Sequence, residues 1–161
     1  MPGLPALRIA LRTGAFAVLA GLGGCMGMDS GGGGGLAAGL TASMASPGAN
    51  LDRPTALSMI NQYRSTTGAG SLTEDSALDS QAQALAAAYA KSGKAPALPP
   101  GASGLRASAG YTTFAETFSG WRNSPADAAV LSDGKARRAG LAAVYDAGSD
   151  YGVYWILVLG G

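Results

Sequence analysis

The sequence predicts an α+β domain, a three-layer α–β–α sandwich around a small antiparallel sheet. Two observations predict it. The first half of the domain carries apolar residues at helical spacing, in two stretches separated by glycines. The end of the chain, "RRAGLAAVYDAGSDYGVYWILVLGG", changes to a strand period around a Gly/Asp turn, and Val153 to Leu159 is apolar on both alternating faces. A strand of that kind is covered on both sides, and the preceding helices supply the two covers.

The N-terminus reads as an address. Arg8 and Arg12 precede an apolar stretch over 13–22 that is too short for a stable membrane span, a signal-peptide pattern. It ends in Leu22, Gly23, Gly24 and Cys25, which resembles the lipobox of bacterial lipoproteins. Residues 1–24 are expected to be a signal peptide and Cys25 the lipidated residue, so that the membrane becomes a partner through a lipid anchor. Removing Arg8 and Arg12 leaves nine basic residues against ten acidic ones. Met26 replaces the Asp of the inner-membrane retention signal, which favours the outer membrane of a two-membrane envelope. Residues 25–50, rich in Gly, Ser and Ala, read as a flexible tether. The "GGGGG" run has neither the Lys-Ser/Thr nor the preceding strand of a phosphate-binding loop.

The domain is expected over 51–161. In "LDRPTALSMINQYRSTTGAGSL", Pro54 suits a first helical turn. Leu57, Ile60, Tyr63 and Arg64 share helical spacing, and Gly68 and Gly70 end the helix. The next helix takes Thr73 as N-cap, loads Glu74, Asp75 and Asp79 at its positive end, and faces inward with Leu78, Ala82, Leu85, Ala86 and Tyr89. Its alanines predict close packing on a flat neighbour. Pro96, Pro99 and Pro100 make 94–104 a loop, and "LRASAGY" reads as one short turn. Ser124 and Pro125 start a further helix, with Asp127 in its first turn. The hairpin is expected as strands over 139–146 and 152–159.

Composition removes whole chemistries. The chain has no His, so neither a Ser-His-Asp triad nor an imidazole zinc site can be built. One Cys excludes an internal disulfide. A formal net charge of +1 offers nothing to nucleic acid. Acid–base work would fall to carboxylates, Tyr or Lys. Ser124 has no base to activate it. Lys135, Arg137 and Arg138 read as solvated surface, with anionic lipid or cell-wall polymer as the alternative.

Four pieces, in order, resemble the CAP superfamily (cysteine-rich secretory proteins, antigen 5 and pathogenesis-related proteins; the SCP domain). Ile60, Asn61, Arg64, Leu72, Asp75, Leu78 and Ala82 fit its opening helices. "AETFSG" is similar to its Gly-Glu-Asn-Ile/Leu segment, with Glu116 matching the Glu. "WRNSPADAAVL" resembles the bacterial Trp-x-Asn-Ser-Pro-Gly-His-Arg-x-Asn-Ile-Leu block, and "YWILVLG" the final strand. The resemblance implies the same sandwich with a cleft on one side of the sheet. Many members place two His and two acidic residues in that cleft, and some bind a divalent metal there. Here Asp127 stands in place of the His, Val130 in place of the Asn, and Leu157 where the final strand often has Gln, so no metal and no cofactor is expected. Glu116, Trp121, Tyr154 and Trp155 are the candidate cleft residues. Trp121 reads first as a core anchor, and Glu116 first as a carboxylate satisfied by backbone N–H groups, with the cleft role as the alternative for each. The expected role is an envelope lipoprotein that binds an apolar ligand or an envelope partner without catalysis. The alternative is a hydrolase of envelope peptide or glycan, with Glu116 as base and Asp127 as its partner.

Overall fold

The computed structural model describes residues 35–161; the signal peptide and Cys25 lie outside them. The elements are α1 (Ala38–Thr41), α2 (Arg53–Thr66), β1 (Thr73–Glu74), α3 (Ser76–Ser92), β2 (Gly104–Ala109), α4 (Phe114–Asn123), α5 (Pro125–Leu131), β3 (Arg138–Tyr145) and β4 (Val153–Gly160). The sheet order is β1-β3-β4-β2, antiparallel apart from the short parallel β1–β3 pair. Among the described residues, no helix is long and apolar enough to cross a membrane.

Both faces of β4 are buried, as its unbroken apolar run requires. Its period of two sends Val153, Trp155, Leu157 and Leu159 into one core with Ile60, Phe114, Trp121 and Leu131. Ile156 and Val158 enter a second core with Ala82 and Ala86 of α3. The three layers are therefore α3, the sheet, and the α2/α4/α5 group. The alanine face of α3 meets β3 at Gly140, where an added Cβ would overlap the Leu78 and Asp79 backbone.

Helix starts follow their capping residues. The Asp52 carboxylate accepts from Thr55 N–H at 3.0 Å and from its hydroxyl at 2.7 Å. Asp75 accepts from Ala77 and Leu78 N–H, so Asp75 and not Thr73 caps α3. Thr73 and Glu74 instead pair with β3, held by the N–H groups of Thr73 and Asp75, which donate to the Arg137 and Ala139 carbonyls at 2.9 Å. Beyond β1, side chains finish the edge of β3. Leu141 N–H donates to Asp79 at 2.9 Å, Arg53 Nε donates to the Leu141 carbonyl at 2.7 Å, and the two side chains lie 3.6 Å apart as an ion pair.

Two expectations need correction. "GLRASA" is a strand and not a turn; it pairs along its whole length with β4. The tether reading of 25–50 fails for its C-terminal part. Leu40 and Met44 are buried in the larger core, and Met44 N–H donates to the Thr112 carbonyl at 2.8 Å. Apolar residues too sparse to form a period still anchor a segment when each finds its own pocket.

The caps make an acid-sensitivity prediction. Hydrogen bonds from Thr55 to Asp52, from the Leu78 N–H to Asp75 and from Thr113 to Glu116 hold all three carboxyls below their ordinary range. Their stabilisation is full above the unfolded values near about pH 4 and is lost as pH falls through the lower folded values. The urea midpoint is expected to be flat between about pH 5 and 7 and to fall below about pH 4. A midpoint that rises on acidification contradicts the cap assignments.

Candidate functional site

Glu116 is spent on the backbone. Its Oε2 accepts from the N–H groups of Thr112 (3.1 Å) and Thr113 (3.0 Å) and from both threonine hydroxyls. Thr113 Oγ1 in turn accepts from Glu116 N–H at 3.3 Å, closing a capping box at the start of α4. The carboxyl is exposed and held ionised by these bonds, the Thr113 hydroxyl contributing most. A carboxylate with a lowered pKa is a weaker base, the opposite of what a general base at neutral pH needs. Thr113→Ala is expected to cost about 1 kcal/mol by urea unfolding, as a lost N-cap does. A change under about 0.3 kcal/mol would mean that the box contributes nothing.

Asp127 is also engaged. Ser124 caps α5 and Pro125 opens it, as the sequence predicts. From that first turn the Asp127 carboxylate accepts a hydrogen bond from Arg106 Nη1, in a pair about one quarter exposed (24% and 29%). Arg106 stands on the α5 side of β2, beside Gly104, which has no room for a side chain because Val130 lies 2.8 Å from its Cβ position. The position that resembles a His site thus carries half of a structural ion pair. Glu116 and Asp127 sit at the starts of different helices, α4 and α5.

The aromatic candidates do not form one cleft. Trp121 is 2% exposed and packs edge-on to Phe114, so it is a core anchor; its buried indole N–H meets no acceptor among the described residues. Trp155 lies in the same core and donates from Nε1 to the Tyr111 carbonyl at 2.9 Å. Tyr154 is on the opposite face, edge-on to Tyr89 with ring centroids 4.9 Å apart. The period of two alone puts Tyr154 and Trp155 on opposite faces.

A different concavity lies on the helix side of the sheet. A groove of about 450 Å³ lies between α2 and α4. Met59, Gln62, Tyr63 and Thr66 line it from α2, Ala115, Phe118, Ser119 and Arg122 from α4, and Leu36 stands at its edge. Each helix contributes at positions i, i+3, i+4 and i+7, one stripe per helix. Tyr63 and Phe118 meet edge to face at 5.8 Å. Sequence reasoning passed over this pair of stripes because Met59, Ser119 and Arg122 look like ordinary exposed helix positions. The signal was the identical spacing on the two helices. Among the described residues, no cluster of three or more His, Cys, Asp or Glu side chains is placed to hold a metal ion.

Known proteins share this fold. The family model "Cysteine-rich secretory protein family" (CAP) matches residues 57–159. The crystal structure of MpPR-1i soaked with selenourea superposes with a TM-score of 0.55 at 16% identity, covering 66% of this chain and 88% of that one. An outer surface protein from Borrelia burgdorferi gives a TM-score of 0.51 at 16% identity, covering 68% and 91%. No curated protein matches in sequence. With the four-stranded sheet between its helix layers and a family model spanning more than half of its residues, the chain belongs to the cysteine-rich secretory protein (CAP) family.

Proposed function

We propose that this CAP domain binds rather than catalyses, as an envelope lipoprotein anchored through Cys25, and that the α2–α4 groove takes an apolar ligand or an apolar side chain of an envelope partner. The observation that carries the reading is the groove itself. Apolar and neutral polar side chains line it apart from Arg122, while the two carboxylates proposed for catalysis are tied up elsewhere. Concave, largely apolar surfaces with a few polar groups are the usual form of small-ligand sites. The hydrolase alternative needs a free base, and neither Glu116 nor Asp127 is free. The envelope placement rests on the "LGGC" pattern, and the fold's occurrence in an outer surface protein is compatible with it.

The probe for the groove is 1-anilinonaphthalene-8-sulfonate, an apolar fluorophore with one negative charge that Arg122 would meet. Its fluorescence is expected to rise on mixing with the folded full chain and to lose that rise in Ser119→Arg, with the melting temperature unchanged. Equal enhancement by the variant would rule the groove out as the binding site. The anchor has its own test. Cys25→Ser is expected to move the protein from the membrane fraction to the soluble fraction, and retention in the membrane would contradict lipidation.

A further inference from the structure

We propose that the outer edge of β2 is a docking site for an extended peptide, which adds to the sheet as a fifth strand. This site is separate from the α2–α4 groove and does not depend on it.

The ladder shows which groups β4 does not use. Gly110 N–H donates to the Val153 carbonyl at 2.9 Å, and residues along an antiparallel strand alternate between bonding the neighbour and facing away. Gly104, Arg106 and Ser108 therefore bond β4, and the N–H and C=O groups of Leu105, Ala107 and Ala109 face outward. The other side of β4 agrees: Asp146 N–H bonds the Gly152 carbonyl, which assigns the even members of β4 to β3 and the odd ones to β2. Among the described residues, only Arg106 Nε reaches this outer row, donating to the Leu105 carbonyl.

The two sheet edges are treated differently. Past β1, the β3 edge is plugged at Leu141 by the Arg53–Asp79 pair. Folded proteins commonly blunt an edge with charge in this way. On β2, the outward-bonding residues are Leu, Ala and Ala, and the one charged neighbour, Arg106, is neutralised by Asp127. Exposed large apolar side chains flank the strand at both ends. Leu98 (54% exposed) lines the groove beside Gly104 to Ala107, and Tyr151 (55% exposed) lies 3.7 Å from the Cβ position of Gly110.

The shape selects the occupant. The β2 edge is the floor of a groove of about 380 Å³, between the 95–98 loop that follows α3 and Val130 of α5. A single extended chain reaches such a floor. A second copy of the protein is held off, because its own β2 edge lies between the same two walls. Backbone bonding supplies affinity in this mode and alternate side chains supply selectivity. Residues of the incoming strand opposite Leu105 and Ala107 would point to the Leu98 side, where apolar groups fit. Their neighbours would point toward Val130 and the Arg106–Asp127 pair.

The test is selection of a random linear heptapeptide library on the full chain. Enriched peptides are expected to carry apolar residues at alternate positions and to slow hydrogen exchange at the Ala107 and Ala109 amides. Ala107→Pro removes an outward N–H and no ladder bond, a change that edge strands tolerate; it is expected to weaken binding by about tenfold or more. Where that variant is unstable, N-methylation of the selected peptide at alternate residues tests the same bonds on the unaltered protein. The proposal is overturned if no peptide is enriched, or if N-methylated peptides bind equally well. It is also overturned if the chain sediments as a dimer that Ala107→Pro dissociates, since the occupant would then be a second copy.

Discussion

Arg64→Met is expected to destabilise the protein by about 3–5 kcal/mol, the largest effect of any single side chain here. Arg64 is 0% exposed, yet among the described residues no carboxylate is bonded to it. Its guanidinium donates to four carbonyls: Gly70 (2.7 Å), Leu131 (2.6 Å), Asp133 (3.1 Å) and Ala136 (3.2 Å). One side chain on α2 thus ties the turn before β1 to the α5–β3 connection. Burial lowers its pKa, and the charge of the nearby Asp133 works against that shift. Methionine fills much of the volume but strips the Gly70 and Leu131 carbonyls of their donor, each worth about 1–3 kcal/mol less whatever water recovers, while Asp133 and Ala136 keep the Ala136 N–H and Arg137 Nη1 as donors. Lysine keeps the charge and cannot span the fork, so Arg64→Lys should lose about half as much. Urea unfolding reads both. A loss under about 1 kcal/mol for Arg64→Met would show that the clamp is not needed.

Gly140→Ala is expected to cost about 3 kcal/mol or more, above the ordinary range for one added methyl group. The obstruction is backbone, at Leu78 and Asp79, which cannot rotate away as a side chain can. To make room, the start of α3 must lift from β3. That movement also strains the Asp79–Leu141 bond and the Asp75–Arg138 ion pair at 2.7 Å. Gly134→Ala is the control, because open space surrounds that position and its φ is not positive; it should change stability by less than about 0.5 kcal/mol. Equal effects of the two substitutions would contradict the close α3–β3 approach.

Much of the fold was legible because local and tertiary signals agreed. Ser124-Pro125 opens α5, Gly93 closes α3 in a left-handed conformation with φ at +66°, and the run from Val153 forms the doubly covered strand. Reading failed where tertiary contacts alone decide. Nothing in "GLRASA" favours a strand, since Gly, Ala and Ser are poor β-formers; the conformation comes from pairing with β4. Leu40 and Met44 sit in a Gly/Ala-rich stretch whose composition hides their pockets. The site was less legible than the fold, for two reasons. Thr113 and Glu116 form a Thr-x-x-Glu capping signature, which would have assigned Glu116 to the backbone from sequence alone. The partner of Asp127, by contrast, lies 21 residues away on a strand that the sequence concealed. Family resemblance points to the cleft positions, and the groove of this chain lies on the facing stripes of α2 and α4.

If binding belongs to the α2–α4 groove and the carboxylates are structural, a ligand should perturb the first and leave the second alone. An NMR titration of the isotope-labelled full chain with 1-anilinonaphthalene-8-sulfonate reads both at once. The expected result is shift changes centred on Met59, Tyr63, Ser119 and Arg122, with Thr112, Thr113, Glu116 and Asp127 unmoved. Changes centred on Glu116 and Asp127, with the groove residues unmoved, would contradict both assignments.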